Sequence, residues 1–150
     1  MTYSVQSKDM PEQEMIVHWL EGCALQRIMF RDGLMLNFED YNELVISAPM
    51  RLTLPATDTL PAEVVSIDPK DATVEQRPLF DFSGTRCTSV VWYDTGHLHL
   101  EFSDGHQIDV PPDRHVTAWE LYGRHHGYAA CLARGVRVVR HDLPEADDAD

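Results

Sequence analysis

Three polar side chains with metal-ligand chemistry lie two residues apart in one short segment. His97, His99 and Glu101 follow the period of a β-strand, so they are predicted to project from the same face. Two imidazoles and a carboxylate can hold a divalent metal ion. The intervening Leu98 and Leu100 would face the core, so the polar outer side of an ordinary strand explains the same residues. We keep His97, His99 and Glu101 as candidate metal ligands and assign no cofactor.

A second pair of histidines, His125 and His126, is bracketed by Gly123 and Gly127 and is predicted to lie in a loop. Functional side chains gather in loops. A surface turn without a role is the alternative interpretation. We treat His125 and His126 as candidate interaction residues.

Nucleophilic chemistry has little support in the sequence. Cys87 and Cys131 could each pair with a histidine, but neither stands in an elbow motif or beside an oxyanion-forming glycine turn. No Walker loop or strand-linked GxGxxG occurs either. We therefore assign no catalytic residue, and an enzyme is not favoured.

Acidic residues cluster around equivalent predicted turns and could present a negative patch to a basic partner. A solvated rim is the alternative interpretation. The candidate interaction residues of this set are Glu39, Asp40, Glu43, Asp104 and Asp109.

Composition limits the classes of protein that are compatible with this chain. A formal charge of −13 opposes binding to a nucleic-acid backbone, which relies on clustered Lys and Arg. No apolar run approaches the roughly eighteen residues of a membrane span, and no signal peptide is recognisable. The three cysteines form no CxxC pair, so buried thiols are expected. A cytoplasmic protein that binds neither nucleic acid nor membrane is predicted.

The elements that would position these residues come from an internal repeat. The segment 22–32 aligns without a gap on 84–94, and after a glycine turn 34–40 aligns on 98–104. Both copies continue into a third apolar segment that ends at a proline. Leu-x-Leu-x-Phe has the period of a strand, and Asp-Gly supplies tight hairpin turns. Each copy is therefore predicted to form a three-stranded antiparallel meander, with a shared β-bulge in its first strand.

The rest of the chain is predicted to complete one β-rich domain over 15–140, as a sandwich or a partly open barrel. The first repeat spans 19–54, with Met50 onward as an extension of its third strand. A linker at 55–82 contains one short helix capped by Asp68. The second repeat spans 84–123, a closing hairpin spans 128–140, and the ends, 1–14 and 141–150, are predicted to be a flexible N-terminus and an acidic disordered tail.

These motifs resemble a family of small actinobacterial proteins of unknown function. The resemblance rests on Leu98-His-Leu-Glu-Phe-Ser-Asp-Gly105, Trp119-Glu-Leu121 and Gly135-Val-Arg-Val-Val139, with a looser counterpart from His18-Trp-Leu-Glu-Gly22 onward. It covers most of residues 16–140. The first copy departs from the pattern at its turn, where Asp40-Tyr41 stands in place of Asp-Gly. The resemblance implies no activity.

Together these features predict a non-enzymatic interaction protein that presents an acidic sheet face or an edge strand to a protein partner or to a second copy. An immunity-type inhibitor of a basic toxin would be one version. Two alternatives remain open: a metal-dependent enzyme that uses His97, His99 and Glu101, and a β-barrel that holds a small apolar ligand.

Overall fold

The computed structural model describes residues 14–140, which form two six-stranded antiparallel sheets. The strands are β1 (Glu14–Ile16), β2 (Leu25–Phe30), β3 (Leu34–Phe38), β4 (Asn42–Ile46), β5 (Met50–Leu54), β6 (Glu63–Ile67), β7 (Cys87–Tyr93), β8 (Leu98–Phe102), β9 (Gln107–Val110), β10 (Trp119–Gly123), β11 (Gly127–Leu132) and β12 (Gly135–Arg140). Sheet I has the order β1-β7-β8-β9-β5-β6, and sheet II has the order β12-β11-β10-β4-β3-β2.

Alternating sequence determines which face of each sheet is buried. In β8 the side chains of Leu98, Leu100 and Phe102 are buried while the residues between them are partly exposed, and β3 follows the same pattern. The buried faces of the two sheets share one core, in which Phe38 of sheet II stacks on Phe102 of sheet I with centroids 6.5 Å apart. Each large apolar side chain buried there contributes about 1.5–3 kcal/mol.

Each sheet combines one meander with the strands that follow the other meander in the chain. Strands β2-β3-β4 lie in sheet II and β7-β8-β9 in sheet I, whereas the β5-β6 hairpin pairs with β9 and β10 pairs with β4. The predicted extension of the third strand at Met50 is therefore wrong, because β5 belongs to the opposite sheet. Pro49 precedes β5, and a residue without a backbone N–H favours such a break in the ladder.

The predicted bulges are confirmed at equivalent places in the two meanders. Pairing of β2 with β3 shifts register between Leu25 and Arg27, and pairing of β7 with β8 shifts between Cys87 and Ser89. Just before these bulges, an antiparallel bridge between Ala24 and Arg86 joins the segment that leads into β2 to the segment that leads into β7. The closing hairpin, β11-β12, is also confirmed.

Two expectations about the fold are corrected. The linker helix is absent from the described residues; single 3₁₀ turns form instead at Pro69–Asp71, where Asp68 accepts a hydrogen bond from the Lys70 backbone, and at Arg77–Leu79. Strand β6 includes Ser66 and Ile67, where the helix was expected to begin, so the chain is extended there. Within 14–140 the sheets form no closed barrel, so the apolar-ligand barrel loses its structural basis.

The predicted flexible N-terminus, apart from residue 14, and the predicted acidic tail fall outside the described residues. No helix in the described part of the chain has the length and apolar character needed to cross a bilayer.

Candidate functional site

The predicted metal ligands lie on the outer face of sheet I, where the neighbouring strand adds a fourth polar side chain. Asp109 on β9 pairs directly with His99 on β8. One oxygen of Asp109 lies 3.0 Å from Nε2 of His97 and 2.7 Å from Nδ1 of His99. The other ring nitrogen of His99 lies 2.8 Å from Glu101. His97, His99, Glu101 and Asp109 thus form one hydrogen-bonded chain.

The electrostatic interactions among these four hydrogen-bonded side chains favour the charged form of His99. Its hydrogen bond with Asp109 raises the pKa of His99 to about 9, against the opposing effect of burial and with help from Glu101. Burial alone would raise the pKa of Asp109, but hydrogen bonds from His99 and His97 outweigh it and lower that pKa. Among the residues that the structure describes, no three His, Cys, Asp or Glu side chains are arranged to hold a metal ion.

The predicted loop histidines lie beside a predicted acidic residue. Nε2 of His125 lies 3.8 Å and Nε2 of His126 lies 3.5 Å from the carboxylate of Asp40. The ring of His126 also stacks on Trp19, with centroids 4.9 Å apart and planes within 13°. The β10-β11 turn is thus packed against the turn that joins β3 to β4.

The turn between β3 and β4 has a strained backbone. Asp40 has φ 65° and Tyr41 has φ 59°, a left-handed conformation that a bulky residue such as Tyr41 rarely adopts. The Tyr41 side chain is 70% exposed, and the guanidinium of Arg124 lies 4.8 Å from its ring centroid. A strained backbone persists only where the surrounding structure holds it in place, and strain of this kind clusters at functional sites.

A buried amide supports this turn from beneath. Asn42 is 1% exposed, and its Nδ2 donates to the Glu39 carbonyl at 3.0 Å and contacts the Cys23 sulfur at 3.8 Å. Its Oδ1 is buried without a hydrogen-bond partner. At Gly123 an added Cβ would lie 2.6 Å from the Trp19 ring and 3.1 Å from this Oδ1, so only glycine allows so close an approach.

Below the turn, the outer face of sheet II carries large apolar and aromatic side chains. Opposite to the buried Leu36, Leu44 and Leu121, the outer face holds two rows of side chains that run across the strands. Most of these side chains are exposed or partly exposed, and Ala130 is buried among them. We call this surface the tyrosine face. Its first row is Met29, Met35, Val45, Glu120, Ala130 and Arg137, and its second row is Arg27, Asn37, Glu43, Tyr122 and Tyr128.

Glu120 organises the centre of the tyrosine face. The phenolic hydroxyls of Tyr122 and Tyr128 each donate to its Oε2 at 3.0 Å, and their rings lie 5.0 Å apart. Burial, followed by the hydrogen bond to Glu120, raises the pKa of both tyrosines to about 12. The two rings are therefore held neutral and in fixed positions.

A groove of about 670 Å³ connects the tyrosine face to the strained turn. Its lining includes Arg27, Asn37 and Glu43 of the face together with Asp40 and Tyr41 of the turn. Within it, Asn37 donates a hydrogen bond to Glu43 at 3.2 Å. The face, the groove and the turn form one continuous surface at this end of sheet II.

The remaining predicted acidic residues are separated. Glu39 accepts a hydrogen bond from the Ala24 backbone at 2.7 Å, near the bridge between the two first strands. Asp104 accepts from the backbone of His106 at 3.0 Å and contacts its ring at 2.7 Å, in sheet I. Glu43 and Asp40 adjoin the tyrosine face, whereas Asp109 lies on the other sheet. The predicted acidic residues are therefore spread over several places in the fold, where each makes its own local contacts.

Several residues of this surface were not among the sequence candidates, although a signal for some of them was present. Glu120 and Tyr122 alternate with Trp119 and Leu121, so strand periodicity alone places them on the outer face. Trp19 is partly buried, packs against the core and stacks on His126 of the turn. Trp92 and Trp119 are buried in the core.

The fold and its surfaces define a two-sheet β protein with one aromatic outer face and one outer face that carries a histidine–carboxylate chain. The chain belongs to a family of unknown function, DUF6188, which matches residues 16–140. The predicted membership of a family of unknown function is thereby confirmed. Neither a curated protein nor a solved structure matches the chain.

Proposed function

We propose that this protein is a non-enzymatic interaction module that binds a protein partner through the tyrosine face. One observation carries the proposal: Met29, Met35 and Val45 form a continuous apolar row on the outside of sheet II, next to a fixed pair of tyrosines. An apolar row on an outer sheet face is covered when another surface packs on it, which provides the driving force for association.

The composition of the tyrosine face matches that of protein interfaces. Tyrosine, methionine and arginine are enriched at the centres of interfaces, whereas lysine is depleted. The face combines two methionines, two tyrosines and two arginines, and Lys70, the one lysine in the described part of the chain, lies outside it. Tyr122 and Tyr128 are also held by Glu120, so binding would order few side chains.

Comparison with sheet I supports the assignment to one face. The positions that correspond to Met29, Met35 and Val45 are Val91, His99 and Asp109, which form a cross-strand row on the outer face of sheet I. Two of those three side chains are polar and hydrogen-bonded to each other. A sheet of this kind therefore does not need apolar residues at these outer positions in order to form.

We propose further that the chain is an internal duplication of a five-stranded unit, whose second copy diverged on the surface. Reciprocal hydrogen bonds support this: Gly22 N donates to Cys87 O at 2.7 Å, and Gly84 N donates to Leu25 O at 2.6 Å. These bonds exchange under the alignment of the two sequence repeats. Three free cysteines fit a reducing compartment, so we place the protein in the cytoplasm.

The proposal is tested with variants that change one outer face at a time. Met35→Lys places a charge in the apolar row, and Thr53→Lys places the same charge on the outer face of sheet I as a control. We expect a stoichiometric partner, or a second copy of the chain, to bind the wild type and Thr53→Lys but not Met35→Lys. Quantitative affinity capture from native lysate and sedimentation velocity measure the two cases, and circular dichroism verifies the fold.

Binding that survives Met35→Lys would overturn the proposal, as would a strictly monomeric wild type that captures nothing. Dimers that dissociate with Met35→Lys would support the self-associating version. If Met35→Lys instead abolishes the capture of a different protein, the result would support the version with a protein partner, of which an immunity-type inhibitor is one example.

A further inference from the structure

We infer that the partner presents an arginine side chain to the tyrosine face, where its guanidinium pairs with Glu120 and stacks on Tyr122 or Tyr128. The inference rests on the proposed function and adds the chemistry of the partner to it.

The carboxylate of Glu120 is held in one orientation. Both tyrosine hydroxyls donate to the same oxygen of Glu120, Oε2, so their hydrogen bonds fix the orientation of the carboxylate. An ionised carboxylate offers about four lone-pair sites on its two oxygens. The Oε1 side of Glu120 is thus oriented to receive a donor that comes from outside the chain.

Negative charge lies beside the ring of Tyr122. Tyr122 pairs across the ladder with Glu43 on β4, and its hydroxyl lies 3.0 Å from the carboxylate of Glu120 on its own strand. An aromatic ring presents a negative face, and two nearby carboxylates strengthen its attraction for a cation. With a net charge of −13, the chain as a whole also steers basic partners toward it.

A carboxylate beside an aromatic ring fits arginine better than lysine. A planar guanidinium can pair with a carboxylate and stack on a ring at the same time, whereas an ammonium is a strongly hydrated point charge. The chain already places a guanidinium over an aromatic ring twice: Arg124 lies 4.8 Å from the Tyr41 centroid, and Arg77 lies 5.3 Å from the Phe30 centroid. The adjacent Met35 and Val45 would contact an apolar side chain near the arginine.

The experiment selects random peptides from a display library against the immobilised full-length chain. Selected peptides are then measured against Glu120→Gln, Met35→Lys and the matched control Glu101→Gln, which removes a carboxylate from the other outer face. We expect the peptides to contain arginine beside an apolar residue. Replacement of that arginine by citrulline, and Glu120→Gln, should each weaken binding by roughly tenfold or more, while Glu101→Gln leaves it unchanged.

The outcomes separate this inference from the proposed function. Peptides that lose binding with Met35→Lys but tolerate both citrulline and Glu120→Gln would overturn the inference and leave the proposed function intact. Peptides that ignore Met35→Lys would contradict both. If no peptide is selected, titration with N-acetyl-arginine amide, followed by NMR, decides: saturable shifts at the Glu120 and Tyr122 amides support the inference, and their absence up to the solubility limit overturns it.

Discussion

Nδ1 of His99 lies 2.7 Å from Oδ1 of Asp109, directly across the ladder between β8 and β9. The opposite ring nitrogen lies 2.8 Å from Glu101. A charged imidazole can donate to both carboxylates at once, whereas a neutral ring has only one N–H. This arrangement explains why the pKa of His99 rises to about 9, and it makes the stability of sheet I dependent on pH.

Asp109→Asn should lower both the pKa of His99 and the free energy of unfolding. The folded-state pKa of His99 is raised, so the charged ring stabilises the folded protein fully below pH 6.5. This stabilisation is lost as the pH rises through about 9. The pKa of Asp109 is lowered, so the same pairing is also lost as pH falls through that value. Near neutral pH and slightly below, the variant should lose about 1–3 kcal/mol.

Urea unfolding over a series of pH values measures this loss, and NMR titration of the imidazole measures the pKa directly. Asp58→Asn, in an exposed loop, serves as the matched control because it removes the same charge without a ring contact. The deficit of Asp109→Asn should shrink above about pH 9. A deficit that stays constant over the whole range would contradict the assigned pairing.

Gly96→Ala should destabilise the protein more than Gly135→Ala. Both glycines have a positive φ, 101° and 132°, which strains any other residue by about 1–3 kcal/mol. At Gly96 the added Cβ would also lie 2.6 Å from the Cys131 sulfur and 3.3 Å from Pro112, whereas nothing lies within 4 Å at Gly135. Overpacking should add about 1–3 kcal/mol at Gly96 alone, as chemical denaturation would show.

A double-mutant cycle with Cys131→Ala isolates that clash. The cysteine is fully buried, so Cys131→Ala alone should destabilise by leaving a small void. Combined with Gly96→Ala, it removes the atom that the new Cβ would meet, so the double variant should be more stable than the sum of the single effects. Additive losses would show that the close approach has no energetic effect.

Strand periodicity predicted most of the individual elements. Alternation in Leu98, Leu100 and Phe102 identified a strand and its buried face, and the irregular spacing from Leu25 to Phe30 identified a bulge. Periodicity reports which face is buried, however, and not which strand lies alongside. Strand β5 therefore remained an extension of β4 in the sequence interpretation, although the chain crosses there to the other sheet.

For the candidate site, too, the sequence predicted which side chains of a single strand share a face, but not which strands bring them together. Residues two apart on one strand, such as His97 and His99, could be grouped from sequence, but Asp109 joins them only through the register of β8 with β9. Likewise, the contact of Asp40 with His126 depends on the pairing of β4 with β10. Local patterns reveal the outward side chains of one strand, whereas the cluster is a property of the sheet order.

Tyr41→Val should be less stable than Tyr41→Asn. Both substitutions remove the aromatic ring and its contact with Arg124, so these losses cancel in the comparison. They differ in how well they tolerate φ 59°: asparagine adopts the left-handed region readily, and a β-branched residue does so rarely. We expect a difference of about 1–2 kcal/mol in the free energy of unfolding. Equal stabilities would mean that the turn relaxes and stores no strain.

The three thiols should differ in their reactivity. Burial raises the pKa of Cys87 to about 12 and also raises that of Cys131, and both side chains are buried. Cys23 is partly exposed, although its pKa is also raised by burial. In mildly alkaline buffer a disulfide reagent should label Cys23 slowly and the other two only on unfolding. Cys23→Ser should abolish labelling of the folded chain; rapid labelling that persists in this variant would contradict the burial of the other thiols.

Glu120→Gln should lower the pKa of Tyr122 and Tyr128 together. Burial is the larger cause of their values of about 12, and the hydrogen bond to Glu120 is the next, so both pKa values should fall but stay above the ordinary value of 10.0. Carbon NMR of ring-labelled tyrosine follows each phenol separately. Tyr93, which lies outside the tyrosine face, serves as the reference in the same spectra. If only one of the two phenols shifts, Glu120 holds one ring rather than both, and the geometry proposed for a bound guanidinium would have to be revised.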